Sequence, residues 1–336
     1  MTLLRLLRAA SLVAALIGTA ALAGCGQVSE SIPAAMQPLS SNAMHLLGQK
    51  GMSAKAAMFV RIFKEESELE VWKQRDDGHF YHFKTYPICT WSGNLGPKRV
   101  EGDYQSPEGF YAVGRSQLNP NSRYHLSFNV GYPNAYDKAF GGTGAALMVH
   151  GNCKSAGCYA MTDALIEEIF VLARESFDGG QEKFPLHIYP FRMTAAKMKA
   201  HKGSTWDPFW KQLKQGYDYF EATKTAPEIA VCNKRYVVAP AWDEAAGALD
   251  ASGPCPSYHQ QKLVPFTPRT DTASLDPALS IAPGQKGRDL ALEGLQGGGA
   301  TGFGLTKAFA NPLAIFSGSA EKSKSEFGVL DVIPKH

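Results

Sequence analysis

The chain has 336 residues, 44% of them hydrophobic, and is long enough to bury at least one sizeable core. Its 34 basic and 31 acidic residues leave a formal charge of only +3. So small an excess, without a long basic run, excludes the positive surface that nucleic-acid binding requires, and we expect no nucleic-acid partner.

The first 25 residues have the pattern of a secretory signal peptide. Two arginines precede an apolar run over residues 9–23, which is shorter than the ~20 residues of a membrane-spanning helix. The run ends in Leu22-Ala23-Gly24-Cys25, which resembles the bacterial lipobox. We expect residues 1–25 to be a lipoprotein signal peptide, with the lipidated Cys25 anchoring the protein to a membrane through its acyl chains alone. Gly26 after this cysteine favours the outer membrane, with the protein facing the periplasm.

Residues 26–55 are polar and mixed, and we expect a tether with one short helix near residues 44–47. Strand patterns follow, beginning with Met58–Phe63 and Leu69–Trp72, which flank a short turn as the two strands of a hairpin do. Further strands are predicted over residues 80–86, 109–113, 124–128 and 145–149.

Helical patterns appear only later, over residues 163–176, 194–202 and 207–215, with Asp163 as the predicted N-cap of the first. The aromatic residues near the third helix are expected in the core. From residue 261 to 336 the composition is rich in Thr, Ser, Ala, Gly and Pro, which predicts a low-complexity, disordered tail. Residues 56–260 therefore form one mainly β domain with α elements and a helical C-terminal part.

Export places the cysteines in an oxidising compartment, where thiols tend to pair. Cys232 and Cys255 are a candidate disulfide, and Cys89 is expected to be buried at the end of its strand. Cys153 and Cys158 remain unassigned. Since five cysteines follow the lipidated one, at least one of them is unpaired or pairs with another molecule.

The sequence from His150 to Cys158 has the residue types of a cysteine acyl-transfer site. The histidine ends a predicted strand and the cysteine follows eight positions later, across a loop of small residues. A nearby imidazole raises the thiolate fraction, and loop amides can stabilise an oxyanion. On spacing alone two alternatives stay open: a blocking disulfide from Cys153 to Cys158, and a metal site with these three residues as ligands.

The motifs of the chain resemble the YkuD family, the L,D-transpeptidase catalytic domain, and most closely its YafK-like branch. His150-Gly151 matches the first element of the family signature, and Ser155, Gly157 and Cys158 match the second. Further matches are Ile88-Cys89-Thr90, Ser92-Gly93, Leu95-Gly96-Pro97-Lys98, Pro107-Glu108-Gly109-Phe110-Tyr111, Gly131-Tyr132-Pro133-Asn134-Ala135-Tyr136-Asp137 and Gly157-Cys158-Tyr159-Ala160-Met161-Thr162-Asp163.

The resemblance implies a β-sandwich or barrel fold whose nucleophile is Cys158 and whose base is His150, without cofactor or metal. The thiolate would attack the carbonyl of meso-diaminopimelate in a peptidoglycan stem peptide and leave a thioester. Gly151, Ser155 and Gly157 would orient the base or stabilise the oxyanion.

The resemblance also leaves three outcomes. An amine acceptor gives transpeptidation, whereas water gives hydrolysis, as in relatives that release a murein-bound lipoprotein. A non-catalytic peptidoglycan-binding lipoprotein is disfavoured because histidine and cysteine are both retained. Ala156 and the Tyr159-Ala160 pair depart from the family pattern and leave the acceptor undetermined. The residues predicted to line the substrate groove are Tyr132, Asn134, Tyr136 and Tyr159.

Overall fold

The computed structural model describes residues 32–245 and 247–268. Within them the α-helices are α1 Ser41–Gln49, α2 Ala135–Ala139, α3 Asp163–Asp178, α4 Ala195–Ala200 and α5 Asp207–Thr223. The strands are β1 Met58–Phe63, β2 Glu68–Gln74, β3 Phe80–Pro87, β4 Thr90–Trp91, β5 Gly109–Gly114, β6 Leu118–Ser122, β7 His125–Asn129, β8 Met148–His150, β9 Tyr159–Ala160, β10 Lys183–Tyr189, β11 Ile229–Cys232, β12 Arg235–Val238, β13 Pro240–Trp242 and β14 Tyr258–Gln260. No helix in these two ranges is both long and apolar enough to cross a membrane.

Two five-stranded sheets form the body of the domain. The first sheet has the strand order β3-β2-β1-β10-β5, with β1 and β10 parallel. The second sheet has the order β4-β9-β8-β7-β6, with β8 and β9 parallel. The hairpins β11–β12 and β13–β14 follow α5. The predicted fold, mainly β with α elements, is confirmed.

The main core includes residues of both sheets and of α3. Val60 and Ile62 of β1, Val149 of β8, and Ile166 and Ile169 of α3 belong to it, and all five are fully buried. The apolar residues of α3 recur at helical spacing, so the helix presents one continuous face to the sheets. This core fixes the position of β8, which carries the candidate base.

The remaining face of the first sheet is covered by α5. Phe63 of β1 packs there with Phe209, Trp210 and Leu213 of the helix. Because β1 is buried on both faces, its sequence is a nearly continuous apolar run rather than an alternating one. The aromatic residues predicted to be core residues near this helix are therefore found in the core.

The short helix predicted near residues 44–47 is present as α1, but it is longer than predicted and packs against the domain. This part of the chain buries Ala43, Leu47 and Met52 in the main core. The first two of these are four residues apart and therefore lie on one helix face.

Two helix boundaries also differ from the prediction. Thr162 rather than Asp163 is the N-cap of α3, because its side chain accepts a hydrogen bond from the amide of Leu165. The helix α5 continues to Thr223 instead of ending at residue 215. Gly216 lets the ring of Phe110 pack closely against this helix, since a methyl group there would lie 2.6 Å from the ring.

Several predictions fall outside the described residues. The signal peptide at 1–25, its lipidated Cys25 and residues 269–336 of the predicted tail are among them. The first described residues of the predicted tail contact the domain: the amide of Phe266 donates to the carbonyl of Ala222 at 2.6 Å.

Candidate active site

His150, the last residue of β8, is buried with 3% of its surface exposed. Its Nδ1 atom lies 2.6 Å from the carbonyl oxygen of Gly151. Because a carbonyl can only accept, Nδ1 carries the proton and Nε2 is left with a free lone pair. The ring of Tyr124 packs against the imidazole, with 4.8 Å between the centroids. Burial lowers the pKa of His150 and outweighs the opposing hydrogen bond to Gly151, so the neutral ring is favoured.

Cys158 immediately precedes β9, which runs parallel to β8. The register pairs His150 with Ala160, and side chains alternate along a strand, so Cys158 shares the face that carries His150. The backbone amide of Met148 donates to the cysteine sulfur at 3.4 Å. Among the described residues this half-buried cysteine is the one outside a disulfide.

The protonation of Cys158 differs from the sequence-based expectation. Burial raises the pKa of its thiol, and neither the Met148 amide nor the positive charge of Lys98 outweighs that effect. Since burial also lowers the pKa of His150, the proton stays on sulfur in the free site. Lys98 is itself buried and forms an ion pair with Asp103. Both pKa shifts therefore favour the neutral forms of the thiol and the imidazole.

Two hydroxyl groups hold the backbone carbonyl of Cys158. The Oγ of Ser155 donates to it at 2.7 Å and the Oγ of Ser106 at 3.0 Å. The Oγ of Ser92 lies 2.7 Å from that of Ser155 and supports it in turn. Ser92 belongs to one of the matched motifs, but the sequence analysis gave neither Ser92 nor Ser106 a role at the site. No local pattern connects them with partners that lie 63 and 52 positions away.

A buried ion pair supports the loop that carries Ser106. Lys64 Nζ lies 3.1 Å from Glu108 Oε1, and both side chains are fully buried. Lys64 also donates to the carbonyls of Asn94 and Ser106, at 2.7 Å and 3.0 Å. The indole of Trp210 donates to the second oxygen of Glu108 at 2.9 Å. Removal of either partner would leave the other charge buried and unpaired, which is strongly destabilising. The intact ion pair therefore holds the loop beside the candidate nucleophile in place.

The two predicted glycines of the site have specific backbone surroundings. Gly157 has φ +118°, a region that favours glycine, and its amide donates to Ser155 Oγ at 3.3 Å. At Gly151 a methyl group would lie 2.5 Å from Asp163 Oδ1 and 3.0 Å from the Cβ of His125. The structure thus brings Gly151 next to the candidate base, and Gly157 and Ser155 next to the candidate nucleophile.

The described cysteines other than Cys158 form two disulfides, Cys89–Cys153 and Cys232–Cys255. The predicted second bridge is therefore present, and the alternative bridge from Cys153 to Cys158 is not formed. Cys89 is exposed, so the prediction that it is buried is wrong. In residues 32–245 and 247–268 no three His, Cys, Asp or Glu side chains are grouped to hold a metal ion.

The four residues predicted to line the substrate groove have structural contacts, and their part in binding substrate stays a prediction. Tyr132, Tyr136 and Tyr159 are 4%, 2% and 0% exposed, so their rings belong to the interior. The hydroxyl of Tyr159 donates to a backbone carbonyl at 2.7 Å. Asn134 is the N-cap of α2, and its amide nitrogen donates to two neighbouring oxygen atoms at 2.8 Å.

Two exposed tyrosines that the sequence analysis did not select border the site. Tyr124 is 48% exposed and its ring packs against His150 at a tilt of 34°, whereas Tyr104 is 66% exposed. The backbone carbon of Tyr104 lies 3.9 Å from where Gly157 would carry a Cβ. One aromatic side chain is thus next to the base and the other belongs to the segment next to the nucleophile. A surface tyrosine has no signature in the sequence that would indicate this placement.

Comparison with known proteins identifies relatives of the chain. Residues 59–184 match the YkuD family, described as the L,D-transpeptidase catalytic domain. The Escherichia coli K12 protein named "Putative L,D-transpeptidase YafK" is 50% identical over 181 residues, which cover 54% of this chain and 73% of that protein.

Solved structures are more distant. The helical cell shape determining protein Pgp2 of Campylobacter jejuni is 19% identical, with 56% of this chain and 79% of that one covered and a TM-score of 0.32. Bd1075 of Bdellovibrio bacteriovorus is 18% identical, with 56% and 62% covered and a TM-score of 0.29.

Proposed function

Because the chain belongs to the YkuD family of L,D-transpeptidase catalytic domains, we propose that it catalyses cysteine-dependent acyl transfer on peptidoglycan stem peptides, at meso-diaminopimelate. One observation carries the proposal: the free thiol of Cys158 shares a sheet face with a histidine whose Nδ1 is held by a main-chain carbonyl. Such a pair can pass a proton from sulfur to Nε2 during attack.

The first half-reaction forms a thioester. The sulfur of Cys158 attacks the carbonyl carbon of meso-diaminopimelate while its proton passes to Nε2 of His150. The backbone amides of the loop around Gly157 stabilise the resulting oxyanion. The carbon–nitrogen bond to the following residue then breaks, and the imidazolium returns the proton to the leaving amine. Ser155 and Ser106 keep the main chain of the nucleophile in place through its carbonyl.

The directions of the two pKa shifts support proton transfer during attack rather than a preformed ion pair. A buried thiol with a raised pKa and a buried imidazole with a lowered pKa both favour their neutral forms. Substrate binding and charge development on the oxyanion supply the reason for the proton to move. General base catalysis by a positioned histidine contributes roughly 10²- to 10⁴-fold in rate.

The second half-reaction resolves the thioester. An amine of a second stem peptide attacks the thioester carbonyl, His150 takes its proton, and Cys158 is released as the thiol. The L,D-transpeptidase name of the Escherichia coli relative supports an amine as the acceptor. Water in place of the amine gives hydrolysis and releases whatever was attached at that bond.

The test is an assay of the purified full chain with a diaminopimelate-containing muropeptide, with and without an amine acceptor. Mass spectrometry separates exchanged, hydrolysed and unchanged peptides. We expect an exchange product that depends on the amine and is absent with Cys158→Ala. Product formation by Cys158→Ala at the parent rate would disprove the nucleophile, and hydrolysis alone would disprove the amine acceptor.

We also propose a bacterial envelope location, with the lipidated Cys25 as the anchor to the outer membrane. This rests on the lipobox-like sequence Leu22-Ala23-Gly24-Cys25, which lies outside the described residues. Growth of cells with labelled palmitate should label the parent protein but not Cys25→Ser. Equal labelling of both proteins would rule out this residue as the anchor.

A further inference from the structure

The loop that leads to the nucleophile is attached to the segment 89–92 at two points. Cys153 forms a disulfide with Cys89, with 5.2 Å between the Cα atoms. Two residues further on, Ser155 Oγ lies 2.7 Å from Ser92 Oγ. The loop thus has one covalent and one hydrogen-bonded attachment to the same four residues.

The segment 89–92 is in turn anchored to β9, the strand that begins immediately after the nucleophile. The amide of Cys89 donates to the carbonyl of Ala160 at 2.9 Å. The next two residues form β4, which pairs with β9 in antiparallel register. The disulfide therefore connects the middle of the loop with the strand at its end. Cys158 lies between these two fixed points.

The loop conformation depends on such attachments. Asn152 and Cys153 have φ values of +66° and +46°, a left-handed conformation that cysteine adopts uncommonly and asparagine more readily. The amide of Asn152 donates to Asp163 Oδ1 at 2.8 Å, and that of Cys153 to the carbonyl of Met161 at 3.1 Å. In addition to these two backbone hydrogen bonds, the disulfide attaches the side chain of Cys153 covalently to Cys89.

Solvent reaches this disulfide. Cys89 and Cys153 are both exposed, whereas Cys158 is half-buried. We propose that the Cys89–Cys153 disulfide positions Cys158 for catalysis, and that its reduction by an external dithiol reversibly lowers activity. The dithiol supplies two electrons and two protons, the sulfur–sulfur bond breaks to two thiols, and the dithiol becomes a disulfide. The expected effect on turnover rests on the proposed function. The expected effect on the reactivity of the Cys158 thiol does not depend on it.

The test compares the full chain with two double variants, Cys89→Ser/Cys153→Ser and Cys232→Ser/Cys255→Ser. The second pair is the matched control, because it removes the other disulfide without touching the loop. Two rates are measured for each protein: turnover of the muropeptide, and alkylation of Cys158 by iodoacetamide, followed by peptide mass spectrometry. Far-ultraviolet circular dichroism and thermal unfolding check that each variant is folded.

We expect Cys89→Ser/Cys153→Ser to lower kcat roughly tenfold to a hundredfold, because small displacements of a nucleophile have effects of this size. We expect its alkylation rate to rise several-fold at the same time, since a loosened thiol loses the burial that raises its pKa. The control variant should change neither rate by more than about twofold. Because partial unfolding would also expose Cys158 to alkylation, both rates are measured well below the unfolding temperature of each variant, where circular dichroism shows it to be folded.

Parent values of both rates in the folded Cys89→Ser/Cys153→Ser variant would overturn the inference, as would equal changes in the control. If that variant does not fold, reduction of the folded parent chain by dithiothreitol, with and without reoxidation, gives the same two readouts. If no muropeptide is turned over by the parent chain, the proposed function fails, and the alkylation rates still decide this inference.

Discussion

The Nδ1 atom of His150 and the carbonyl oxygen of Gly151 lie 2.6 Å apart, and this contact selects the tautomer of the ring. The proton is on Nδ1, so Nε2 is available to accept the thiol proton. In the proposed mechanism the main chain of the neighbouring residue orients the imidazole, as an aspartate does in a Ser-His-Asp triad. The orientation of the base depends on the local backbone, which makes it sensitive to a change at Gly151.

We predict that Gly151→Ala lowers activity by about tenfold or more, because the added methyl group displaces the carbonyl that orients the base. That methyl group would meet Asp163 Oδ1 at 2.5 Å and His125 at 3.0 Å. Gly48→Ala is the matched control, since nothing lies within 4 Å of its new methyl group. Initial rates on the muropeptide check the prediction. Equal rates for the two variants would contradict it.

We predict that His150→Gln lowers kcat by roughly 10²- to 10⁴-fold while the protein stays folded, because the general base is lost. The control is His45→Gln, since His45 is exposed on α1 and lies outside the site. Single-turnover formation of the thioester, followed by intact-protein mass spectrometry, is the measurement. A variant that forms the thioester as fast as the parent would show that another group takes the proton.

We predict that alkylation of Cys158 rises with pH along a curve displaced to higher pH than that of free cysteine. The reason is that burial raises the pKa of this thiol, so less thiolate is present at any given pH. Rates with iodoacetamide between pH 6 and pH 10, compared with a cysteine-containing peptide, give both curves. A curve displaced to lower pH would instead indicate a resting thiolate–imidazolium pair.

We predict that Ser106→Ala lowers kcat several-fold, up to about tenfold, with little change in KM. The variant removes one of the two hydroxyls that donate to the Cys158 carbonyl, and Ser155 keeps the other. Ser41→Ala, at an exposed position of α1, is the control. Steady-state kinetics separate the two parameters. A selective rise in KM would indicate that the hydroxyl contacts substrate instead.

We predict that one buried carboxyl group, that of Asp137, makes the free energy of unfolding fall as the pH rises from about 4 to about 6. Burial raises the pKa of Asp137 to about 6, although hydrogen bonds from Asn134 and Tyr111 lower it. Because the folded pKa lies above that of the unfolded chain, protonation favours the folded state. This stability is fully present below the unfolded pKa and is lost as the pH rises through 6.

The variant Asp137→Asn should therefore show a flatter dependence of unfolding free energy on pH over this window, by about 3 kcal/mol in total. Urea unfolding at several pH values measures it. Glu101→Gln, which changes an exposed carboxyl group, should follow the parent curve. Parallel curves for the parent and Asp137→Asn would contradict the raised pKa.

Local patterns in the sequence determined much of the fold. The strand β1 begins and ends where its apolar run does, and the apolar spacing of α3 identified that helix. The candidate pair His150 and Cys158 could be selected because both lie within nine consecutive residues. Interactions over a few residues repeat with the period of a strand or helix, so they leave a readable pattern.

Tertiary structure alone decided which distant residues meet at the site. Ser106 reaches Cys158 across 52 residues, and Cys89 pairs with Cys153 across 64. It also decided that Tyr159 belongs to the core, although its position next to the nucleophile suggested a contact with substrate. Such contacts depend on the order and register of strands in two sheets, and the separation of two residues along the chain carries no information about either.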